Sequence, residues 1–210
     1  MCYNATSSIT NYAYVTLVSI IVYLYGDAYD KYVASILTYT IQMQLVEFFM
    51  HLDPKCGWLN KIATIGAFFL LVTQPIFVYY FGNMFNVINM AGFFQYVYIT
   101  YGIFGLIQWI YYIMTENNIC SKKQGGHLIW GFEPNNSTIG NINVFAYLIL
   151  LLLPLLNIID VNIRTLMVII LFGSCLVHYI LYPKHWKSMW CFFVSGMITI
   201  YAIVRYLKII

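Results

Sequence analysis

Apolar runs long enough to cross a bilayer fill most of this chain, and no other feature restricts its fold as much. A bilayer-spanning helix needs roughly 20 mostly apolar residues. About seven such runs follow one another within 210 residues. Soluble domains carry about 25% charged residues. Here the charged share is 8%, against 62% hydrophobic and a mean hydropathy of +0.77. A water-facing surface cannot be built from that composition, so the expected fold is all-α: a polytopic transmembrane helical bundle forming one membrane domain, 1–210. The lipid bilayer is its first expected partner.

The expected spans are 9–25, 32–52, 59–81, 92–114, 144–159, 164–182 and 186–207. Gly26-Asp27 closes the first, and the polar turn Asp53-Pro54-Lys55-Cys56-Gly57 closes the second. Asn83, Asn86 and Asn89 mark a connector before span four. The one sizeable loop is 115–143, rich in Asn, Gly and Lys, with a short extended candidate at 127–132 after Gly125-Gly126. Pro75 and Pro154 fall inside spans, where neighbouring helices can satisfy the freed carbonyls. The opening MCYNATSS lacks a basic stretch, and no small-residue cleavage site follows, so the first run reads as a retained span. No internal repeat of convincing length is visible.

The net charge of +3 is small and scattered, which argues against nucleic-acid binding. Sidedness is left open by two conflicting signals. Lys55, Lys61, Lys122, Lys123, Lys184 and Lys187 share the amino-terminal side, against Lys31, Arg164, Arg205 and Lys208 opposite. The positive-inside rule then puts the amino terminus in the cytoplasm. The N-x-S/T acceptors at Asn4, Asn135 and Asn136 occupy that same side, and make sense only if it is luminal. Cys56 and Cys120 also lie there and would form a disulfide if it faces an oxidising compartment.

Polar residues within spans usually face the bundle interior, and here they form stripes. Thr40, Gln44, Glu47 and His51 share a face of span two at i, i+4, i+7 and i+11. Asn60, Thr64 and Gln74 share a face of span three. Ser174, His178 and Tyr182 line span six; Ser188, Cys191, Ser195 and Thr199 line span seven. Ordinary interhelical packing explains small hydroxyl stripes and lone glutamines equally well. Glu47 is harder to set aside, because a carboxylate roughly 8 Å inside a span must be protonated, paired or wetted. The expected intramembrane polar site is Gln44, Glu47, Thr64, Gln74, Gln108 and His178, with Glu47 and His178 as the leading pair.

All four histidines (His51, His127, His178, His185) fall on or near the amino-terminal side. Glu47, His51, His178 and His185 therefore make a conditional zinc site, since imidazole and carboxylate both suit zinc. No cofactor is expected otherwise. Seven-span hydrolases of the alkaline ceramidase and progestin-receptor type build such a site from an early Ser and His and a late His-x-x-x-His. This chain departs from that pattern, with His178 and His185 seven apart across Pro183. In a plainer reading His127 and His185 are solvated, and Trp130, Trp186 and Trp190 are interfacial anchors.

Met1-Cys2-Tyr3-Asn4, the segment Met43-Gln44-Leu45-Val46-Glu47-Phe48-Phe49 and Gln74-Pro75 together resemble an uncharacterised family. Its members are small multi-pass membrane proteins encoded by giant DNA viruses of algae and protists. The resemblance covers mainly the first 80 residues. It implies a viral protein of a host-cell or virion internal membrane, with viral membrane or capsid partners, and brings no established activity. The family more often carries an aromatic residue where this chain has His51.

Three functions follow as expectations, in this order. The first is a channel or carrier passing protons or a small polar solute. The second is a structural or partner-binding protein of the virion or host membrane that uses loop 115–143 for recognition; a homo-oligomer is a further expected assembly. The third is an intramembrane metal-dependent lipid hydrolase; the weight is against an enzyme. No Lys lies mid-span in the last run, so a retinal Schiff base has no site.

Overall fold

The computed structural model describes residues 4–115, 119–124, 127–131, 138–181 and 186–207; at 124, 127, 138–142, 178 and 186–195 it describes the backbone alone. The elements are α1 (Ala5–Tyr25), α2 (Ala28–Thr40), α3 (Gln42–Leu52), α4 (Trp58–Met84), α5 (Phe93–Thr115), β1 (Lys122–Gln124), β2 (His127–Ile129), α6 (Thr138–Leu156), α7 (Val161–Leu181) and α8 (Trp186–Tyr206). The fold is helical, with one small antiparallel hairpin in which Lys123 pairs with Leu128. The extended segment expected at 127–132 is thus a strand over its first three residues.

Helix starts and stops follow local chemistry. Asn4 caps α1, its Oδ1 accepting from the Ser7 N–H at 2.8 Å, which satisfies one otherwise unpaired donor. Asp27 and Asp30 form a reciprocal capping box at the start of α2. That tight turn needs Gly26, because a Cβ there would stand 2.2 Å from the Asp30 Cβ. α2 and α3 form one continuous rod, Ala28–Leu52, with tighter winding at Ile41, where Gln44 N–H reaches the Ile41 carbonyl at 2.8 Å. Asp53 then caps α4 by accepting from Gly57 and Asn60 N–H groups at 3.1 and 3.2 Å.

Among the described residues, five helices are long and apolar enough to cross a membrane, by length and composition: Ala5–Tyr25, Ala28–Leu52, Trp58–Met84, Phe93–Thr115 and Val161–Leu181. Asn143–Leu156 and Gly196–Tyr206 are shorter apolar stretches. α5 lies close on α4 because Gly105 lets the backbone approach; a Cβ there would meet Val72 Cγ1 at 2.2 Å. Such close approach at small residues is what gains packing energy where lipid already surrounds the apolar surface.

The helix ends define two poles. One gathers the start of α1, the α3–α4 turn, the hairpin and the start of α8. At the other, the α4–α5 connector pairs with the α6–α7 connector through Asn89 N–H to Asn157 O and Ile159 N–H to Val87 O, both 2.9 Å. Asn86 and Asn89 lie in that connector, as expected, whereas Asn83 still belongs to the last turn of α4. The main core, with Val15, Tyr32, Ile41, Leu155 and Ile198, lies among α1, α2, α6, α7 and α8. A second cluster of Met43, Met50, Ala63, Ala67, Leu128 and Trp130 fills the space between α3, α4 and the hairpin.

Candidate functional site: a buried polar cluster under a stapled hairpin

α3 and α4 run antiparallel around the 53–57 turn, which brings the polar face of one against that of the other. Gln44 and Glu47 are fully buried, one turn apart. The Gln44 amide donates to Glu47 Oε2 at 2.6 Å, and the Trp130 indole donates to Glu47 Oε1 at 3.1 Å. Both oxygens of the carboxyl group thus accept from N–H donors, the arrangement that compensates a carboxylate for lost water.

One helix away, the fully buried Asn60 shares its amide N–H bonds among the carbonyls of Met50 (3.2 Å), Asp53 (3.1 Å) and Ser121 (3.0 Å). Its Oδ1 accepts the Ser121 N–H at 2.9 Å. Thr64 and Ser121 pair through their hydroxyls at 2.9 Å, and Ser121 Oγ accepts from Gly131 N–H at 3.1 Å. Beside this network the Cys56–Cys120 disulfide joins positions 64 residues apart, with Cα atoms 5.5 Å from each other. Cys56 sits at φ 61°, a left-handed backbone that a side chain rarely adopts, so the turn is held there by its surroundings. Gln44, Glu47, Asn60 and Thr64 and the described loop residues Ser121 and Trp130, which are far apart in the sequence, thus lie in connected networks.

Trp130 corrects an expectation. It is 3% exposed and donates to Glu47, so it is a buried ligand of the carboxylate and no interfacial anchor. Trp58, at the start of α4, is 73% exposed. The side chains of Trp186 and Trp190 lie outside the described residues.

Of the six residues expected to form one polar site, Gln44 and Glu47 bond directly, and Thr64 belongs to the neighbouring Asn60–Ser121 network, linked to them through Trp130-Gly131. Gln74 lies ten residues further along α4, about 15 Å on the axis from Thr64. It is 3% exposed, and its Oε1 accepts from the Tyr147 hydroxyl of α6. Its amide nitrogen is buried without a hydrogen-bond partner among the described residues. A cavity of about 30 Å³ adjoins it, bordered also by Thr40, Leu37, Leu155, Met167 and Met197. Gln108 is half-buried on α5.

His178 stands near the end of α7, with its side chain outside the described residues, so the expected pairing with Glu47 falls there too. α3 packs chiefly on α4 and α1, and α7 on α8 and α6. His51 is half-buried one turn beyond Glu47, bordering a cleft of about 250 Å³ with Asn4 and Lys123. His185 lies outside the described residues. Among the described residues, no three His, Cys, Asp or Glu side chains stand close enough to hold a metal ion.

Sequence reasoning missed the cluster at the opposite pole. Asp30 is 5% exposed and accepts from the Tyr201 hydroxyl at 2.7 Å and from Arg205 Nε at 3.1 Å. Arg205 also pairs with Asp27. A signal was available: aspartates spaced i, i+3 after a glycine announce a capped helix start, and a buried capping acid needs a cation.

The geometry defines a class: a bundle of apolar helices, five of them able to cross a membrane, with a hairpin covalently and polarly fixed to one pole. No protein-family model, curated protein or solved structure matches the chain.

Proposed function

We propose that this is a seven-span integral membrane protein whose stapled hairpin is a rigid recognition surface for a protein partner, in keeping with a structural role in a viral or host membrane. One observation carries the reading. Glu47 accepts from Trp130, Asn60 and Thr64 bond to Ser121, and Gln44 donates to Glu47 behind them, so these intraspan groups hold a surface segment in place. Lys122 and Lys123 stand exposed on the hairpin and Lys55 and Lys61 beside it, a basic surface suited to an acidic partner. The disulfide supports placing this pole in an oxidising compartment, in agreement with the N-x-S/T acceptors and against the lysine bias. A photocrosslinker placed at Lys123 in intact membranes should capture a discrete virion or membrane protein, and reduction of the disulfide should abolish capture. Finding no adduct would remove this reading.

A carrier or channel is the second reading. Its support is the orphaned Gln74 amide beside the 30 Å³ cavity, which has room for about one water molecule. On that reading Glu47→Gln abolishes proton flux in liposomes while the protein stays folded, and unchanged flux removes the role of Glu47 in it.

A further inference from the structure

We infer that the cavity where α2, α4, α6, α7 and α8 converge is a fixed hydration site, in which one water accepts from the Gln74 amide and donates to the Thr40 hydroxyl. The inference goes beyond the carrier reading: the water is held as part of the helix contact, whether or not anything crosses the bundle.

Thr40 and Gln74 belong to the polar stripes of the α2–α3 rod and of α4, yet neither takes part in holding the hairpin. Thr40 is the midpoint of the 25-residue rod Ala28–Leu52, about 18 Å along the axis from either end. Its hydroxyl donates to the Ile36 carbonyl at 2.9 Å, which commits the proton and leaves lone pairs to accept. Gln74 is the reverse case. Its Oε1 is committed to the Tyr147 hydroxyl, and its buried amide nitrogen, without a partner among the described residues, has N–H groups to donate. Both residues border the cavity. An occupant that accepts from one and donates to the other through a single atom satisfies both, and water is that occupant.

Size and lining narrow the choice of ligand. The volume of about 30 Å³ exceeds the roughly 10–15 Å³ that one water needs. It leaves no room for a solute of several heavy atoms, and among the described residues no charged side chain borders it to hold an ion. Leu37, Val78, Leu155, Met167 and Met197 make most of the wall, and a cavity lined only by such groups stays dry. The Gln74 N–H makes the difference. Left unbonded in an apolar interior, it costs more than immobilising one water, so the hydrated state is the lower one. The resulting chain runs from Tyr147 of α6 through Gln74 of α4 and the water to Thr40 of α2. It ties three helices together near their mid-length.

The test is X-ray radiolytic footprinting of the full chain in lipid bilayer discs, read by mass spectrometry. Radicals from water held inside a protein oxidise the side chains beside it, and Met167 and Met197 border the cavity. Both are buried, at 6% and 5% exposed, and Met43 and Met50, buried in the hairpin cluster, are the internal reference. Sulfoxide should form about tenfold faster at Met167 and Met197 than at the reference pair. Gln74→Leu with Thr40→Val should remove that excess, whereas Thr40→Ser, which keeps the acceptor, should retain it. Equal rates at all four methionines of the native protein overturn the inference, and that comparison stands even if a variant fails to fold. An excess that survives in the folded double variant overturns it too, since the radicals then arrive from outside. Proton flux is a separate measurement, so failure of the carrier reading leaves this result standing.

Discussion

The two poles solve the same problem with different chemistry. At the hairpin pole a fully buried carboxylate, Glu47, is held by neutral donors, and a disulfide fixes the segment that supplies one of them. At the opposite pole the buried carboxylate, Asp30, is held by a cation and a phenol from the last helix. The first arrangement recruits a loop and makes a surface feature. The second recruits α8 and closes the bundle on itself. What differs is what each carboxylate loses when a partner goes: at one pole an order of chain, at the other a charge balance.

Four perturbations would break or sharpen that contrast. Cys120→Ser should have the largest effect, since releasing a closure 64 residues long removes about 4 kcal/mol in the chain-entropy account. Thermal unfolding under non-reducing conditions would measure it, and limited proteolysis should cut first near 119–131. Arg205→Ala should rank next. It leaves Asp30 buried without its cation, costing about 2 kcal/mol after allowance for the arginine's partial exposure. Trp130→Phe keeps the aromatic volume but deprives Glu47 of a donor, for about 1.5 kcal/mol. Gln74→Leu should be the mildest, about 0.6 kcal/mol, the usual worth of an interhelical hydrogen bond in a membrane.

The comparison itself is tested by combining the first two substitutions. α1 spans 21 residues between the poles, about 31 Å. Stabilities of sites that far apart should add within about 0.5 kcal/mol. A larger coupling in Cys120→Ser/Arg205→Ala would mean that the poles communicate through α1 or α8.

Much of the architecture was legible in the residues. Each expected span coincides with a helix or with the α2–α3 rod, because hydropathy and run length are local properties of the chain. Among the described residues, five of these elements are long and apolar enough to cross a membrane. The deviations are local. The fifth run was expected at 144–159, but α6 ends at Leu156, since Asn157 and Ile158 turn to pair with the other connector. The candidate site was legible only in its parts. Gln44, Glu47 and Thr64 were chosen for depth and spacing; Gln44 and Glu47 bond to each other, whereas Thr64 bonds to Asn60 and Ser121. Gln74 was grouped with them on a shared helix face, but facing one way does not bring residues together when they lie 15 Å apart along the axis. Trp130 was misread because an indole in a loop looks like an anchor until its N–H is seen on Glu47.

The sequence by itself determined the helical class, the helix positions, the turn chemistry at Asp27 and Asp53, and the Cys56–Cys120 pair as candidates for one bond. These depend on composition, periodicity and short-range capping, which act within a few residues. Only the tertiary structure decided that a tryptophan 83 residues away binds Glu47, that Arg205 and Tyr201 answer Asp30 across 170 or more positions, and that hydroxyls of α1 and α8 meet on an outer face. Those pairings depend on which helices become neighbours, and one amphipathic face does not name its partner.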